Sequence, residues 1–331
     1  MSKRYSFQAV TLIVTATCAL ALSSRPAFAV TVFSDQFNAG STIDQAPGTP
    51  TATSTSYEFG AGNTNNTAVS VNPGDLSIAL GNTSSVDGEI AALFAASPVT
   101  LANIGDFIDL QVTWVATSNV FSGAATASTQ VALGLYDSGG SAPQQGATLF
   151  NSANSPTGGA QNWAGYYGFA IQGSNSKIDT RPKQTGATAT NQELLFGGTS
   201  GSQAFGNPAG AQLTSASKAT TIAESAGATN TSELRITLTG VNSLAVSNTL
   251  FSGAGTGGTI IFAENGTTNN TVTDLSFDGL AFGYRYSGTQ ATSALDVQSI
   301  TVLTSVVPEP STVALVGVAI AMIPMFRRRR S

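Results

Sequence analysis

Between residues 106 and 116 the chain alternates without a break: Ile108, Leu110, Val112 and Trp114 are apolar, and Asp109, Gln111 and Thr113 between them are polar. A period of two suits an extended backbone, in which successive side chains point to opposite faces, so this segment predicts a half-buried strand. The pattern recurs. Residues 75–80 set Leu76, Ile78 and Leu80 on one face, 130–137 set Val131, Leu133 and Leu135, and 165–172 set Tyr167, Phe169 and Ile171. Residues 233–239 (Leu234, Ile236, Leu238), 280–286 (Leu280, Phe282, Tyr284, Tyr286), 295–303 and the opening 30–33 continue it. Only Ile90-Ala91-Ala92-Leu93-Phe94-Ala95 reads as well as a helix as it does as a strand. Strands with one apolar face each, joined by Gly-, Ser- and Thr-rich turns, bury themselves when two antiparallel sheets pack face to face. The expected fold is an all-β, antiparallel β-sandwich.

The two ends of the chain differ from this body. Lys3 and Arg4, an apolar run over 9–22 and the small-x-small triplet Ala27-Phe28-Ala29 form a signal peptide, with cleavage expected after Ala29. Its only cysteine, Cys18, lies inside that run, so the exported chain has no disulfide to rely on and is held by burial alone. At the other end Pro308-Glu309-Pro310 precedes an apolar run over 312–326 and the arginines Arg327, Arg328, Arg329 and Arg330. Arginine stays charged and holds its end of a membrane segment on the cytoplasmic side. The run has 15 residues. At about 1.5 Å per residue it falls short of a hydrocarbon core of about 30 Å, which suits a transient transmembrane helix better than a permanent one. The chain thus divides into 1–29, a body over 30–306, and a tail over 307–331.

The tail resembles the PEP-CTERM sorting signal of exported proteins in Gram-negative bacteria. That resemblance implies processing near Pro308, Glu309 and Pro310 by an exosortase-type membrane protease, a passing stay in the inner membrane, and delivery to the cell surface or extracellular matrix in association with exopolysaccharide. A second resemblance runs through the body. Asp35-Gln36-Phe37-Asn38, Gly134-Leu135-Tyr136-Asp137-Ser138-Gly139, Gly165-Tyr166-Tyr167 and Leu295-Asp296-Val297-Gln298-Ser299-Ile300-Thr301-Val302 are similar to exported jelly rolls of the concanavalin A-like lectin/glucanase class. It implies that the first and last strands lie side by side.

Residue types narrow the chemistry. Between residues 30 and 306 stand six basic and seventeen acidic residues, a net charge near −11, which repels nucleic acid. There is no histidine, which excludes Ser-His-Asp and Cys-His catalysis and imidazole metal sites. Paired carboxylates are what remain, and the Glu-x-Asp-x-x-Glu run that the glucanase resemblance would imply is missing. Asp87 with Glu89, Asp106 with Asp109, and Asp274 with Asp278 are the nearest groupings. The second pair reads as strand-edge solvation, and the third lacks the acidic-loop spacing of a calcium site, so no metal, cofactor or catalytic residue is expected. Trp114 belongs on the apolar face of its strand. Trp163, Tyr166 and Tyr167, separated by the small Ala164 and Gly165, are the candidates for stacking on sugar rings, set against plain core packing. The sequence reads as a non-enzymatic surface or matrix protein; a lectin-like carbohydrate-binding module is the alternative, and a glycan hydrolase the third.

Overall fold

The computed structural model describes residues 29–39, 58–60, 67–80, 86–116, 130–139, 163–171, 175–183, 194–195, 213, 218–219, 226–268, 274–286 and 293–305. Ala29 is exposed, and the remainder of the signal peptide and the whole tail, with Ala27, Pro308, Glu309, Pro310 and the four arginines, lie outside them. Among the described residues all the regular elements are strands: β1 (Val30–Asp35), β2 (Glu58–Gly60), β3 (Thr67–Asn72), β4 (Asp75–Leu80), β5 (Val86–Leu93), β6 (Val99–Thr100), β7 (Phe107–Ala116), β8 (Gln130–Asp137), β9 (Ala164–Ile171), β10 (Asn175–Arg181), β11 (Lys218–Ala219), β12 (Thr229–Gly240), β13 (Ser243–Ser252), β14 (Ile260–Thr267), β15 (Ser276–Phe277), β16 (Gly279–Tyr286) and β17 (Ser293–Thr304).

Because β7 alternates so strictly, its apolar row of Ile108, Leu110, Val112 and Trp114 turns inward and is fully buried. On one side β7 pairs with β12 and on the other with β17, both antiparallel, in a sheet ordered β14-β13-β12-β7-β17-β4-β3 with β1 also on β17. A second antiparallel sheet runs β11-β10-β9-β8-β16-β5-β2, and β15 and β6 form a short ribbon. Leu133, Leu135, Ile90, Phe282 and Tyr284 of the second sheet meet Leu110, Val112, Trp114, Leu234 and Ile300 of the first in one continuous core, so the fold is an antiparallel β-sandwich. The indole N–H of Trp114 donates to Ser232 Oγ at 3.0 Å, which satisfies its polar atom inside that core.

The centre of the second sheet is buried on both faces. Ala91, Leu93, Ala132, Tyr136, Trp163, Tyr167, Phe169 and Ala281 form a separate apolar cluster on its outer side with Leu194 and Leu195. Glu89 holds that cover in place, its two carboxylate oxygens accepting the N–H of Leu194 at 2.8 Å and of Leu195 at 2.9 Å. Double burial explains why residues 90–95 lack alternation: 90–93 end strand β5, apolar on both sides, and Phe94 just after it is buried too, where a helix was equally acceptable from sequence.

The first and last strands pair directly, from Val30 against Thr304 to Asp35 against Ile300. β17 therefore has two different neighbours on one edge, β4 along Ser293–Val297 and β1 along Ile300–Thr304. The change of partner falls at Gln298 and Ser299.

Candidate functional site

At that change of partner the outer face of the first sheet opens into a groove of about 610 Å³, within the roughly 300–1,000 Å³ usual for ligand sites. Its floor is Gln111 and Thr113 of β7 and Gln298, Ser299 and Thr301 of β17; its rims are Gln36 and Asn38 after β1, Gly74 between β3 and β4, and Ala254 and Gly255 after β13. Every one of these residues is uncharged, and seven carry an amide or a hydroxyl.

Local chemistry explains each wall. Trp114 pairs with Val297 and Thr113 with Ser299, so Gln298 is an extra residue, a bulge that interrupts the ladder and re-aims the side chains beside it. On the first rim Phe37 adopts φ = 59°, a left-handed conformation uncommon for a residue with a Cβ. It is fixed there by three things: its ring is buried, its N–H donates to Asp35 Oδ1 at 2.7 Å, and its carbonyl accepts the Gly74 N–H at 2.9 Å. Gly74, at φ = 95°, supplies the positive φ that the Pro73-Gly74 turn requires. The opposite rim is tied to Thr231, whose hydroxyl donates to Gly253 O at 2.9 Å and accepts the Gly255 N–H at 2.7 Å.

These bonds set which atoms face a ligand. Since the Thr231 hydroxyl proton goes to Gly253, the 3.1 Å contact between Thr113 Oγ1 and Thr231 Oγ1 has Thr113 as donor. Thr113 then offers lone pairs to the groove. Gln111 donates Nε2 to Asp109 Oδ2 at 3.0 Å, which leaves its carbonyl oxygen for the groove. Gln111 and Thr113 thus present acceptors, and Gln298, Ser299 and Thr301 add amide and hydroxyl groups that both donate and accept, a set that complements a hydroxyl-rich ligand.

Behind Gln111 lies a charged group of three. Asp109 is 2% exposed, its Oδ2 stands 3.8 Å from Arg235 Nη1, and the guanidinium in turn lies 3.7 Å over the Phe107 ring. Glu233, half-buried on β12, stands opposite Gln111, and Arg235 opposite Asp109. Burial raises the Asp109 carboxyl above its ordinary range, against the lowering influence of Gln111 and Arg235. Glu233 is pushed up to about 7, by burial first and then by the charge of Asp109. Asp109 is thus not a strand-edge carboxylate in water, as its spacing from Asp106 suggests. Asp106 lies in the preceding turn, where Oδ2 accepts the N–H of Ala102 and Asn103 at 2.9 and 2.7 Å.

The aromatic candidates lie elsewhere. Trp163, Tyr166 and Tyr167 are 0%, 0% and 3% exposed, so their rings are core and do not present faces to a sugar. Trp163 lies over Gly279, where a Cβ would come within 2.5 Å of the indole, and 6.0 Å from the tilted Tyr136 ring. Tyr166 faces the inter-sheet core, and its hydroxyl donates to Asp274 O at 3.2 Å. The Gly165 expected to leave rings uncrowded serves close strand contact instead, its would-be Cβ 2.1 Å from Leu135 O. Asp274 and Asp278 are spent on the backbone: Asp274 Oδ1 accepts from Leu275 and Ser276, and Asp278 takes the N–H and hydroxyl of Ser138, each at 2.7 Å. Among the described residues no group of three or more acidic, histidine or cysteine side chains is arranged to hold a metal ion.

The groove was not marked by residue type in the sequence. One signal was present: in Val297-Gln298-Ser299-Ile300 two polar residues separate the apolar ones, a break in the period of two that a bulge explains.

No family model and no curated protein matches the chain. Among solved structures it is similar to lectin UEA-II complexed with galactose, at 10% identity and a TM-score of 0.39 over 84% of this chain and 98% of that one. It is also similar to arcelin-5, a lectin-like defense protein from Phaseolus vulgaris, at 11% identity and 0.36 over 83% and 98%. Basic winged bean lectin with Tn-antigen gives 11% and 0.38 over 84% and 98%. Identity and TM-score are low throughout, and the fold assignment rests on the chain's own strand order and register.

Proposed function

We propose that this chain is an exported, non-enzymatic surface or matrix protein that holds neutral polysaccharide in the groove on its eight-stranded sheet. In this reading the tail is an address: Pro308, Glu309 and Pro310 are cut by an exosortase-type protease while the run over 312–326 rests in the inner membrane, and Arg327 to Arg330 stay inside. The observation that carries the binding role is the groove lining, which offers amides and hydroxyls and no charge in a body whose net charge is near −11. Uronate- or sulfate-bearing polymers are disfavoured by that field, and uncharged polyols are matched by the amides and hydroxyls of the floor.

Affinity electrophoresis through gels containing neutral or anionic polysaccharide tests the proposal. The wild type is expected to be retarded by neutral polymer only, and Gln111→Ala or Thr301→Ala to weaken retardation about three- to tenfold, the loss of one hydrogen bond. Equal retardation by anionic polymer, or none of the loss in both variants, overturns it.

A further inference from the structure

Among the described residues four large apolar side chains are exposed: Val30, Ile104, Val241 and Ile260. Such residues scattered singly are ordinary on a protein surface, but three of these share one end of the sandwich. Val241 stands in the two-residue turn between β12 and β13. Ile104 lies in the turn before β7, which is tied to β12 three residues ahead of Val241: the Gly105 N–H donates to Leu238 O, and the Leu238 N–H to Asp106 O, each at 2.8 Å. Ser305, just past β17, is bonded to the start of β7, its N–H donating to Phe107 O at 3.1 Å and its Oγ accepting the Phe107 N–H at 2.7 Å. Val30 opens β1 opposite Thr304. Across β12, β7, β17 and β1, neighbours about 5 Å apart, these apolar side chains mark one edge of the sheet. Ile260 lies toward the other end, opposite Phe251.

The two turns hold their apolar side chains outward. Ile104 is 71% and Val241 86% exposed. Around Ile104, Asp106 Oδ2 accepts the N–H of Ala102 and Asn103, and the Asp106 N–H donates to Asn103 O at 2.9 Å. Around Val241, the Thr239 hydroxyl donates to Ser243 O at 3.0 Å. Residues 101–105 and 239–243 contain no charged side chain, so an apolar medium can take up either turn without desolvating an ion. Both apolar runs of the sequence also join the body at this end. Seven residues separate the run over 9–22 from Val30, and six separate Ser305 from the run over 312–326. An extended chain covers about 3.3 Å per residue, so this end stays within about 25 Å of a bilayer that holds either run.

We propose that this end of the sandwich is a bilayer-docking edge, with Ile104 and Val241 seated in the lipid interface while the chain is held by its tail. This rests on the reading of the tail as membrane-inserted. The groove stays open in that pose, because its rim at Ala254 and Gly255 follows the other end of β13 from Val241. The contact is apolar and the body carries a net charge near −11. Salt therefore screens repulsion from anionic lipid and leaves the seat intact, where a basic patch would be released.

The test places a small fluorophore in turn at Ile104→Cys, Val241→Cys, Ile260→Cys and Ala319→Cys in the full chain with Cys18→Ser. The protein is reconstituted in vesicles of three parts phosphatidylethanolamine to one of phosphatidylglycerol, some of the lipid spin-labelled just below the headgroup. Quenching at 104 and 241 is expected to exceed that at 260 at least about threefold and to persist in high salt. At 241 it should fall about threefold when Ile104→Asp is added. Equal quenching at 104, 241 and 260, or quenching at 241 indifferent to Ile104→Asp, overturns the proposal. So do disulfide-linked dimers through position 104 in place of quenching, which would give the edge to a second copy of the chain. If the probe at 319 is not quenched, the reading of the tail fails by itself, and the comparison of 104 and 241 with 260 still decides the docking.

Discussion

Trp163 packs its indole over Gly279 on the outer side of the second sheet, beside Tyr136, whose own ring covers Gly134 and whose hydroxyl donates to Leu194 O at 2.9 Å. Removing the indole leaves a cavity over Gly279, which has no side chain to refill it. Trp163→Ala is therefore expected to cost about 3–5 kcal/mol in denaturant unfolding, and to leave polysaccharide binding by the folded fraction at the wild-type level. Loss of binding without loss of stability would return the indole to a ligand-facing role. Sequence placed this ring among small neighbours, but the glycine it covers, Gly279, lies far off in the chain, and nothing in residues 163–167 shows that pairing. Asp109 is a similar case: its polar identity and its period on β7 were plain, and its burial was not, because burial on the outer face depends on what other strands place beside it.

At the level of strands, those with strict alternation were legible, β4, β7, β8, β12, β16 and β17 among them. β13 and β14 were not read, and the reason is chemical. Asn248 and Glu264 stand opposite one another at buried positions where the pattern calls for apolar residues. β10 hides likewise, since Asp179 and Arg181 are buried on its outward side. The hairpin-like contact of β8 with β9 gives a test at this scale. A Cβ on Gly165 would stand 2.1 Å from the Leu135 carbonyl, and a paired backbone cannot step aside. Gly165→Ala is expected to destabilise by about 3 kcal/mol, whereas Gly257→Ala, in open space, should stay within about 1 kcal/mol of wild type. Thermal melts of the two variants check this, and equal melts would mean that β8 and β9 are spaced more widely than described.

For the whole molecule, one property was legible in the sequence and one arose only from folding. The net charge near −11 over residues 30–306 is a matter of composition, which needs no contacts to be read. The groove arises from a change of strand partner, and no local stretch encodes it. The processing proposal has a direct measurement: the intact mass of protein recovered from the cell surface should correspond to a chain lacking Arg327 to Arg330. With Glu309→Gln, which keeps the shape and removes the carboxylate, uncut precursor should accumulate in the membrane. A surface species that still ends at Ser331 would make the tail an ordinary anchor. A pull applied to the chain beyond Ser305 would be taken up by β17, which is flanked by β7 along one edge and by β4 and then β1 along the other. Tension along that strand runs across its hydrogen bonds, so both ladders are loaded in shear and must fail together rather than unzip one bond at a time. A body held from that end would resist drag through both ladders at once.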